Sequence, residues 1–341
     1  MALLGTRKSV VFLVLGLLFL LGVSLTVGFG YYLISPCKEK APDQVFLVRE
    51  GATMNAVATE LESRGLVRAK DLFLLWARLM GYSRDIKAGE YRLNPAMSPV
   101  AILNTLSRGA VIAHPVTIPE GYTVEQVAEA LEDKGLVDKA PFLSLARDPA
   151  VAEAVGVPGP GLEGYLYPDT YHFSRSLPPL SIIKVMVRRF WEVVGPLEER
   201  IKQIPLSTAE VVTLASIVEK ETACAKERPL IARVFLNRLK KGMRLESDPT
   251  VIYGLRSFDG NLTRKDLARH TPYNTYLIRG LPPGPIANPG VEAIKAVLYP
   301  ADGEVLYFVS KNDGTHHFSE TLSQHNKAVE IYQKKRRGKT S

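Results

Sequence analysis

The stretch Ser207-Thr208-Ala209-Glu210-Val211-Val212-Thr213-Leu214-Ala215-Ser216-Ile217-Val218-Glu219-Lys220-Glu221-Thr222 reads as one helix that ends in two carboxylates. Ser207 and Glu210 have the spacing of a capping box, which starts the helix. Val211, Leu214, Ala215 and Val218 recur three and four apart and form one apolar stripe, with Ile217 beside it. Glu219 follows Val218 and lies one helical step beyond Ala215. A carboxyl set against an apolar wall loses hydration and its pKa rises, which is how an acid catalyst is made. Glu221 lies about 200° further round the helix, so the two carboxylates do not enter one pocket. One is expected to face the protein body and the other solvent.

The segments around this helix are rich in aromatic, Pro and Gly loops. Glu163-Gly164-Tyr165-Leu166-Tyr167-Pro168-Asp169-Thr170-Tyr171 is one; Thr271-Pro272-Tyr273-Asn274-Thr275-Tyr276 is another; Gly280 to Gly290, with four prolines, is a third. Helices are predicted from about Ser181 to Val194 and from Arg228 to Leu239, the latter carrying Asn237 and Arg238 at its end. Asp248-Pro249 starts another, with Asp248 near the N-cap. A short helix over Val291 to Val297 precedes two strands, Tyr307-Phe308-Val309 and His317-Phe318, around the turn Lys311-Asn312-Asp313-Gly314. Thr321 to Tyr332 closes the chain.

Upstream lies an internal repeat. Glu50-Gly51-Ala52-Thr53 leads into Val57-Ala58, Leu61-Glu62 and Gly65-Leu66-Val67, and 70 residues later Glu120-Gly121-Tyr122-Thr123 leads into Val127-Ala128, Leu131-Glu132 and Gly135-Leu136-Val137. In each copy a short strand (Val45 to Val48, Val116 to Ile118) precedes a Thr-capped helix that a glycine stops. The first copy continues into a helix from about Asp71 to Met80, a strand over Gly89 to Leu93 and a helix begun by Ser98-Pro99. Strand, helix, helix, strand makes a small α/β module. The second copy is partly elaborated, with its next helix near Lys139 to Ala146. A small module of this kind suits a scaffold or a polysaccharide- or peptide-binding role; nothing in 46–110 pairs a nucleophile with a base.

The N-terminus carries the longest apolar run. Val10 to Leu33 holds no charged residue over 24 positions, about 36 Å of helix against a bilayer core of roughly 30 Å. Arg7 and Lys8 precede it, and Tyr31 and Tyr32 stand at its far end, where interfacial aromatics belong. A cleaved signal peptide has a shorter apolar core and a small-residue cleavage site, which is not seen here. Lys38, Lys40 and Arg49 offset Arg7 and Lys8, so local charge leaves the orientation open. The rest of the chain is expected to form one water-soluble body. The net charge of +8 draws on the tail Lys334, Lys335, Arg336, Arg337 and Lys339, read as a soluble end. Cys37 and Cys224 are too few for a disulfide framework, and Cys37 lacks a lipid-attachment signal.

Most catalytic motifs are absent. His316, His317 and His325 lack the spacing and the Cys partners of a zinc site. There is no Gly-x-Ser-x-Gly elbow, P-loop or Rossmann glycine pattern, and the basic residues are not interleaved with aromatics as on a nucleic-acid surface. Glycosidic cleavage fits better, because it needs a protonated carboxyl beside the leaving oxygen. Glu219 is the candidate, and a structural salt bridge to Arg238 or a neighbouring arginine is the competing use. A hydrolase needs a second carboxylate, for which Glu163, Asp169 and Asp248 are available; each also has a bland use as a cap or loop-fixing acceptor.

Taken in order, Glu163–Tyr171, Ala215–Thr222, Asn237-Arg238-Leu239, Ser247–Gly254, Pro272–Tyr276, Leu281–Gly290 and Phe318–Asn326 resemble the membrane-anchored endolytic murein transglycosylases. The likeness covers nearly the whole chain, anchor included. It implies an α+β protein: cytoplasmic tail 1–9, transmembrane helix 10–34, linker 35–44, LysM-like α/β module 45–112, mixed α/β catalytic domain 113–333 beginning with the second Glu-Gly-x-Thr copy, and basic tail 334–341. It implies a single pass through the inner membrane, N-terminus cytoplasmic and body in the periplasm. Glu219 matches the family's catalytic Glu. Glu163, Tyr165, Asn237, Asp248, Tyr273, Asn274 and Thr275 are assigned to glycan binding by polarity and membership of the matching motifs. Lytic transglycosylases cut the β-1,4 bond between N-acetylmuramic acid and N-acetylglucosamine without water. The muramic acid C6 hydroxyl attacks C1 and leaves a 1,6-anhydro end. An intramolecular nucleophile has a high effective concentration, so one acid suffices. The resemblance implies peptidoglycan glycan strands as substrate, no metal or cofactor, no nucleic acid, and association with penicillin-binding synthases and other wall-elongation proteins.

Overall fold

The computed structural model describes residues 2–82, 86–255 and 257–334. The basic tail from 335 onward lies outside the described residues. The chain divides into two compact units rather than one body. The first is the chain to His114 with Ser174–Leu177; the second is Pro115–Phe173 with the chain from Pro178 onward. The two copies of the repeat fall in different units.

The first unit holds α1 (Ala2–Ile34), β1 (Gln44–Val48), α2 (Met54–Ser63), α3 (Lys70–Leu79), β2 (Gly89–Leu93) and α4 (Pro99–Arg108). Within α1, Phe12–Ile34 is long and apolar enough to cross a membrane. β1 and β2 run antiparallel, with Gln44 opposite Leu93 and Val48 opposite Gly89. Strand alternation turns Phe46, Val48, Tyr91 and Leu93 inward onto Leu61, Phe73 and Leu103 of the helices. Each such buried side chain contributes about 1.5–3 kcal/mol. Thr53 and Ser98 cap α2 and α4 with their hydroxyls. Residues 35–43 are tied down on this unit: Lys38 N–H donates to Pro95 O (3.0 Å) and the Asn94 amide donates to Ala41 O (2.7 Å).

The second copy of the repeat closes as the first does. β3 (His114–Thr117), α5 (Val124–Asp133) and α6 (Lys139–Ala146) are followed by α7 (Pro149–Ala154) and then β4 (Thr170–Phe173). β3 pairs with β4, and Ile118 N–H continues the ladder to Asp169 O (2.9 Å). The elaboration is the insertion of α7 and the aromatic loop before the returning strand. Beyond it come α8 (Pro179–Val194), α9 (Glu198–Ile201), α10 (Thr208–Glu221), α11 (Arg228–Lys240), α12 (Asp248–Gly254), α13 (Arg264–Leu267), α14 (Val291–Leu298), the antiparallel hairpin β5 (Tyr307–Ser310) and β6 (His316–Ser319), and α15 (Leu322–Val329).

α10 is the axis of the second unit. Every residue from Val211 to Val218 is buried, so the one-stripe reading was too narrow: α10 packs on α11, α12 and α14 and is enclosed all round. Its hydroxyls bond inside the helix, Thr213 to Ala209 O (2.8 Å) and Ser216 to Thr213 O (2.7 Å), so their burial costs little.

Candidate active site

The expected capping box starts α10: Ser207 Oγ accepts from Glu210 N–H (3.3 Å), and Ser207 N–H donates to Glu210 (2.8 Å). At its other end Glu219 leaves the core. Its Oε1 is 2.6 Å from Arg228 Nη2, and its Oε2 accepts the Gly290 N–H at 3.0 Å. The Glu219 side chain is 5% exposed and that of Arg228 11%. Arg228 is the first residue of α11 and Gly290 the last before α14, so the two helices packed on α10 both aim their first turns at this carboxyl. The same Arg228 nitrogen is 3.4 Å from Glu120 Oε2, in the Glu-Gly turn of the second repeat, and Lys220 Nζ donates to Gly121 O (3.3 Å). Burial pushes the Glu219 carboxyl above the usual range; the Gly290 N–H and Arg228 pull against it, and the charge of Glu120 adds to it.

Glycine at 290 is required by crowding rather than by backbone conformation. Its φ of −75° suits any residue, yet a Cβ there would overlap the Glu120 carboxylate. The loop leading to Gly290 is pinned to the same face of α10, since Ile286 N–H donates to Ser216 Oγ (3.0 Å). Asn288 ties in the Glu163–Tyr171 loop and the Glu120–Thr123 turn: its side chain accepts from Leu166 N–H (2.9 Å) and donates to Tyr122 O (2.8 Å).

Glu120, Gly121, Glu219, Lys220 and Arg228 line an open depression of about 450 Å³. Past Lys220 it meets a hollow of about 730 Å³ walled by Gln126, Arg147, Ile252, Tyr253 and Phe258. Arg147 and Tyr253 are shared in turn with a cleft of about 220 Å³ bounded by Glu163, Tyr165 and Tyr273. Lys220, Arg147 and Tyr253 thus place the three hollows next to one another as a candidate groove. In the cleft, Glu163 accepts from Val124 N–H (3.1 Å) and Tyr253 OH (3.1 Å), and burial pushes its carboxyl up to about 7. Tyr273 packs edge-on against Tyr253, ring centroids 4.7 Å apart.

The YceG-like family profile matches residues 46–331. The chain belongs to the YceG-like family. It is 33% identical over 321 residues to an endolytic murein transglycosylase of Bacillus subtilis, covering 89% of each protein. It is 32% identical to a Streptococcus pneumoniae protein of the same description, covering 83% of this chain and 57% of that longer protein. A crystal structure of a yceG-like protein from Listeria monocytogenes shares the fold at a TM-score of 0.59 and 33% identity, covering 85% of this chain and all of that one.

In this YceG-like chain the polar residues singled out from sequence have divergent surroundings. Glu163, Tyr165 and Tyr273 border the groove, though the Tyr165 ring is buried against Phe190 and its hydroxyl bonds Pro158 O (3.2 Å). Asn237 donates to Gly303 O (3.1 Å) and Val305 O (3.0 Å) and so fixes a distant loop. Asn274 is fully buried and donates to Leu267 O and Arg269 O; Thr275 is fully buried against Thr250 and Ser247. Asp248 accepts from Tyr276 OH (2.6 Å) and Asp169 pairs with Arg189 (2.8 Å). For Asn237, Asn274 and Thr275 the physical reason is the same: a buried amide or hydroxyl must be satisfied internally, so its polarity serves the fold.

The structure decides three readings. Glu221 supports the fold rather than facing solvent: it is half-buried and its carboxyl accepts from Ser247 Oγ at 2.5 Å, though the residue still borders the depression at Glu219, while the exposed residue between the two acids is Lys220. Ser247, not Asp248, occupies the N-cap of α12, and its hydroxyl is spent on Glu221. The arginine that pairs with Glu219 is Arg228; Arg238 binds Leu306 O (2.7 Å) and Leu245 O (2.8 Å). Sequence reasoning missed Arg228, Glu120, Gly290 and Asn288 as site residues. The one available signal was the repeated Glu-Gly pair, which marked Glu120 as a turn but not as a neighbour of Glu219.

Proposed function

We propose that this chain is an endolytic lytic transglycosylase that cuts the β-1,4 bond between N-acetylmuramic acid and N-acetylglucosamine in nascent peptidoglycan, leaves 1,6-anhydromuramic ends and limits strand length. The observation that carries the reading is the Glu219 carboxyl: burial raises it above its ordinary range, and it lines an open depression. In this reading Glu219 protonates the leaving glycosidic oxygen, the C6 hydroxyl attacks C1, and the resulting Glu219 carboxylate takes the hydroxyl proton. Arg228 and the Gly290 N–H stabilise that carboxylate between the two transfers. Tyr253 and Tyr273 offer flat faces to sugar rings along the groove, and Glu163 and Arg147 offer polar contacts. The first unit, with its strand–helix–helix–strand order and two-stranded antiparallel sheet, serves as a LysM-like glycan-binding module. α1 anchors the protein with its N-terminus in the cytoplasm and its body in the periplasm, beside the penicillin-binding synthases.

The test is digestion of purified glycan strands by the full chain in detergent, read by mass spectrometry. Anhydro-ended fragments from internal cuts are expected, and Glu219→Gln is expected to abolish them while leaving the fold intact. Hydrated reducing ends would make the protein a hydrolase. The Glu219–Arg228 ion pair favours one other reading, a non-catalytic wall-binding or assembly factor in which Glu219 is structural; glycan binding without any products would establish it.

A further inference from the structure

α3 is apolar on both sides. Phe73, Leu74 and Ala77 pack into the first unit's core, with Trp76 half-buried at its edge, while Leu72, Leu75 and Leu79 lie on the opposite face at helical spacing and Met80 follows at the C-cap. Leu75 is 45% exposed, Leu79 65% and Met80 46%. A surface helix of a water-soluble domain keeps that face polar, and here the stripe is continuous with the end of α1. The Phe29 ring lies edge-on to Trp76, centroids 6.3 Å apart. Tyr32 OH donates to Ala69 O (2.7 Å) at the N-cap of α3, and Leu33 is buried. Arg68 Nη2 donates to Pro36 O (2.5 Å), holding the chain where it leaves α1. α1 and α3 are therefore joined by a ring contact, a side-chain hydrogen bond and a short tethered exit.

We infer that the outer face of α3 is immersed in the lipid bilayer beside α1. The inference rests on reading α1 as the membrane anchor. The apolar stretch Phe12–Ile34 spans 23 residues, about 34 Å of helix against a hydrocarbon core of roughly 30 Å. Phe29 stands about 7 Å inside its outer end, within the hydrocarbon when the span is centred. Trp76, in contact with Phe29, then sits at the level where interfacial tryptophans belong. Leu72, Leu75 and Leu79, on the outer face, meet acyl chains rather than water. Lys70 and Arg78 flank the stripe at the two ends of α3, where their stems reach the headgroups. The arrangement is that of an interfacial helix with one face on its own domain and the other in lipid. It holds the first unit against the membrane instead of leaving it to swing on residues 35–43.

The test uses the full chain with Cys37→Ser and Cys224→Ser, reconstituted into phosphatidylcholine–phosphatidylglycerol vesicles, with one nitroxide attached after Leu20→Cys, Leu75→Cys or Leu79→Cys. Relaxation by oxygen, which partitions into lipid, is compared with relaxation by a neutral nickel chelate, which stays in water. Labels at 75 and 79 are expected to share the oxygen preference of the label at 20. Nickel access at 75 and 79 with oxygen preference at 20 would overturn the proposal and leave the anchor standing. Protection from both reagents at 75 and 79 would mean a protein contact, such as a second copy of this chain, and would also overturn it. Nickel access at 20 would remove the anchor and the proposal together.

Discussion

Arg228 Nη2 lies 2.6 Å from Glu219 Oε1 and serves Glu120 with the same nitrogen at 3.4 Å. One cation thus faces two carboxylates from different parts of the chain, and the charge of Glu120 raises the Glu219 carboxyl.

Substitutions of the two partners should move activity in opposite directions along the pH axis. Glu219 must be protonated to act as acid, so the rate falls as pH rises through its pKa. Arg228 favours the carboxylate and Glu120 disfavours it. Arg228→Gln is expected to shift the alkaline limb of kcat/KM to higher pH, and Glu120→Gln to lower pH. A pH–rate profile on glycan strands checks both, and shifts of the same sign would refute the coupling.

Gly290→Ala tests the crowding at the site. The backbone accepts alanine, so the fold should persist, but the added methyl displaces Glu120. Activity is expected to drop toward that of Glu120→Ala, with little change in Tm. Wild-type turnover in Gly290→Ala would show that the Glu120 position is immaterial.

Glu221 makes stability depend on pH. Burial raises its carboxyl to about 7 in the folded state against the ordinary 4.5. The folded state therefore holds the proton that the unfolded state releases. Stability from this group is complete below 4.5 and is lost as pH rises through about 7, a change of about 3 kcal/mol. Urea unfolding at pH 4 and pH 8 should show Glu221→Gln equal to wild type at the lower pH and more stable at the higher. Glu163, also raised to about 7, keeps part of the slope in that variant.

Asn288→Ala should loosen the site without touching Glu219. It removes the acceptor of the buried Leu166 N–H (2.9 Å) and the donor to Tyr122 O (2.8 Å). A buried unpaired group costs about 1–3 kcal/mol. A lower denaturation midpoint together with a lower kcat is expected; unchanged kcat would separate loop order from catalysis.

Legibility in the sequence followed the range of the interaction. The repeat was readable because Thr53 and Thr123 cap, and Gly65 and Gly135 stop, within a few residues of the groups they serve. The capping box of α10 and the β5–β6 hairpin were local in the same sense. Glu221 stayed open between a solvent-facing neighbour and a support for the fold, because helical phase tells only that two residues differ in direction. It does not tell whether another element, here the chain at Ser247, waits on the far side. Asn237, Asn274 and Thr275 are buried and bonded within the protein, which the sequence did not show, because polarity in a loop looks the same whether it is offered to a ligand or consumed by a backbone carbonyl.

By itself the sequence determined the apolar N-terminal helix, the two copies of the repeat and the helix ending in Glu219 and Glu221, all consequences of periodicity, capping and backbone geometry. The tertiary structure alone decided what surrounds Glu219. Arg228, Gly290 and Glu120 stand 9, 71 and 99 positions away along the chain, and only the packing of α11, α14 and the second repeat turn around α10 brings a guanidinium, an N–H and a second carboxylate to one acid. It likewise decided the place of α3. Sequence showed α3 only as a helix; the contact of Trp76 with Phe29 set it beside the end of α1.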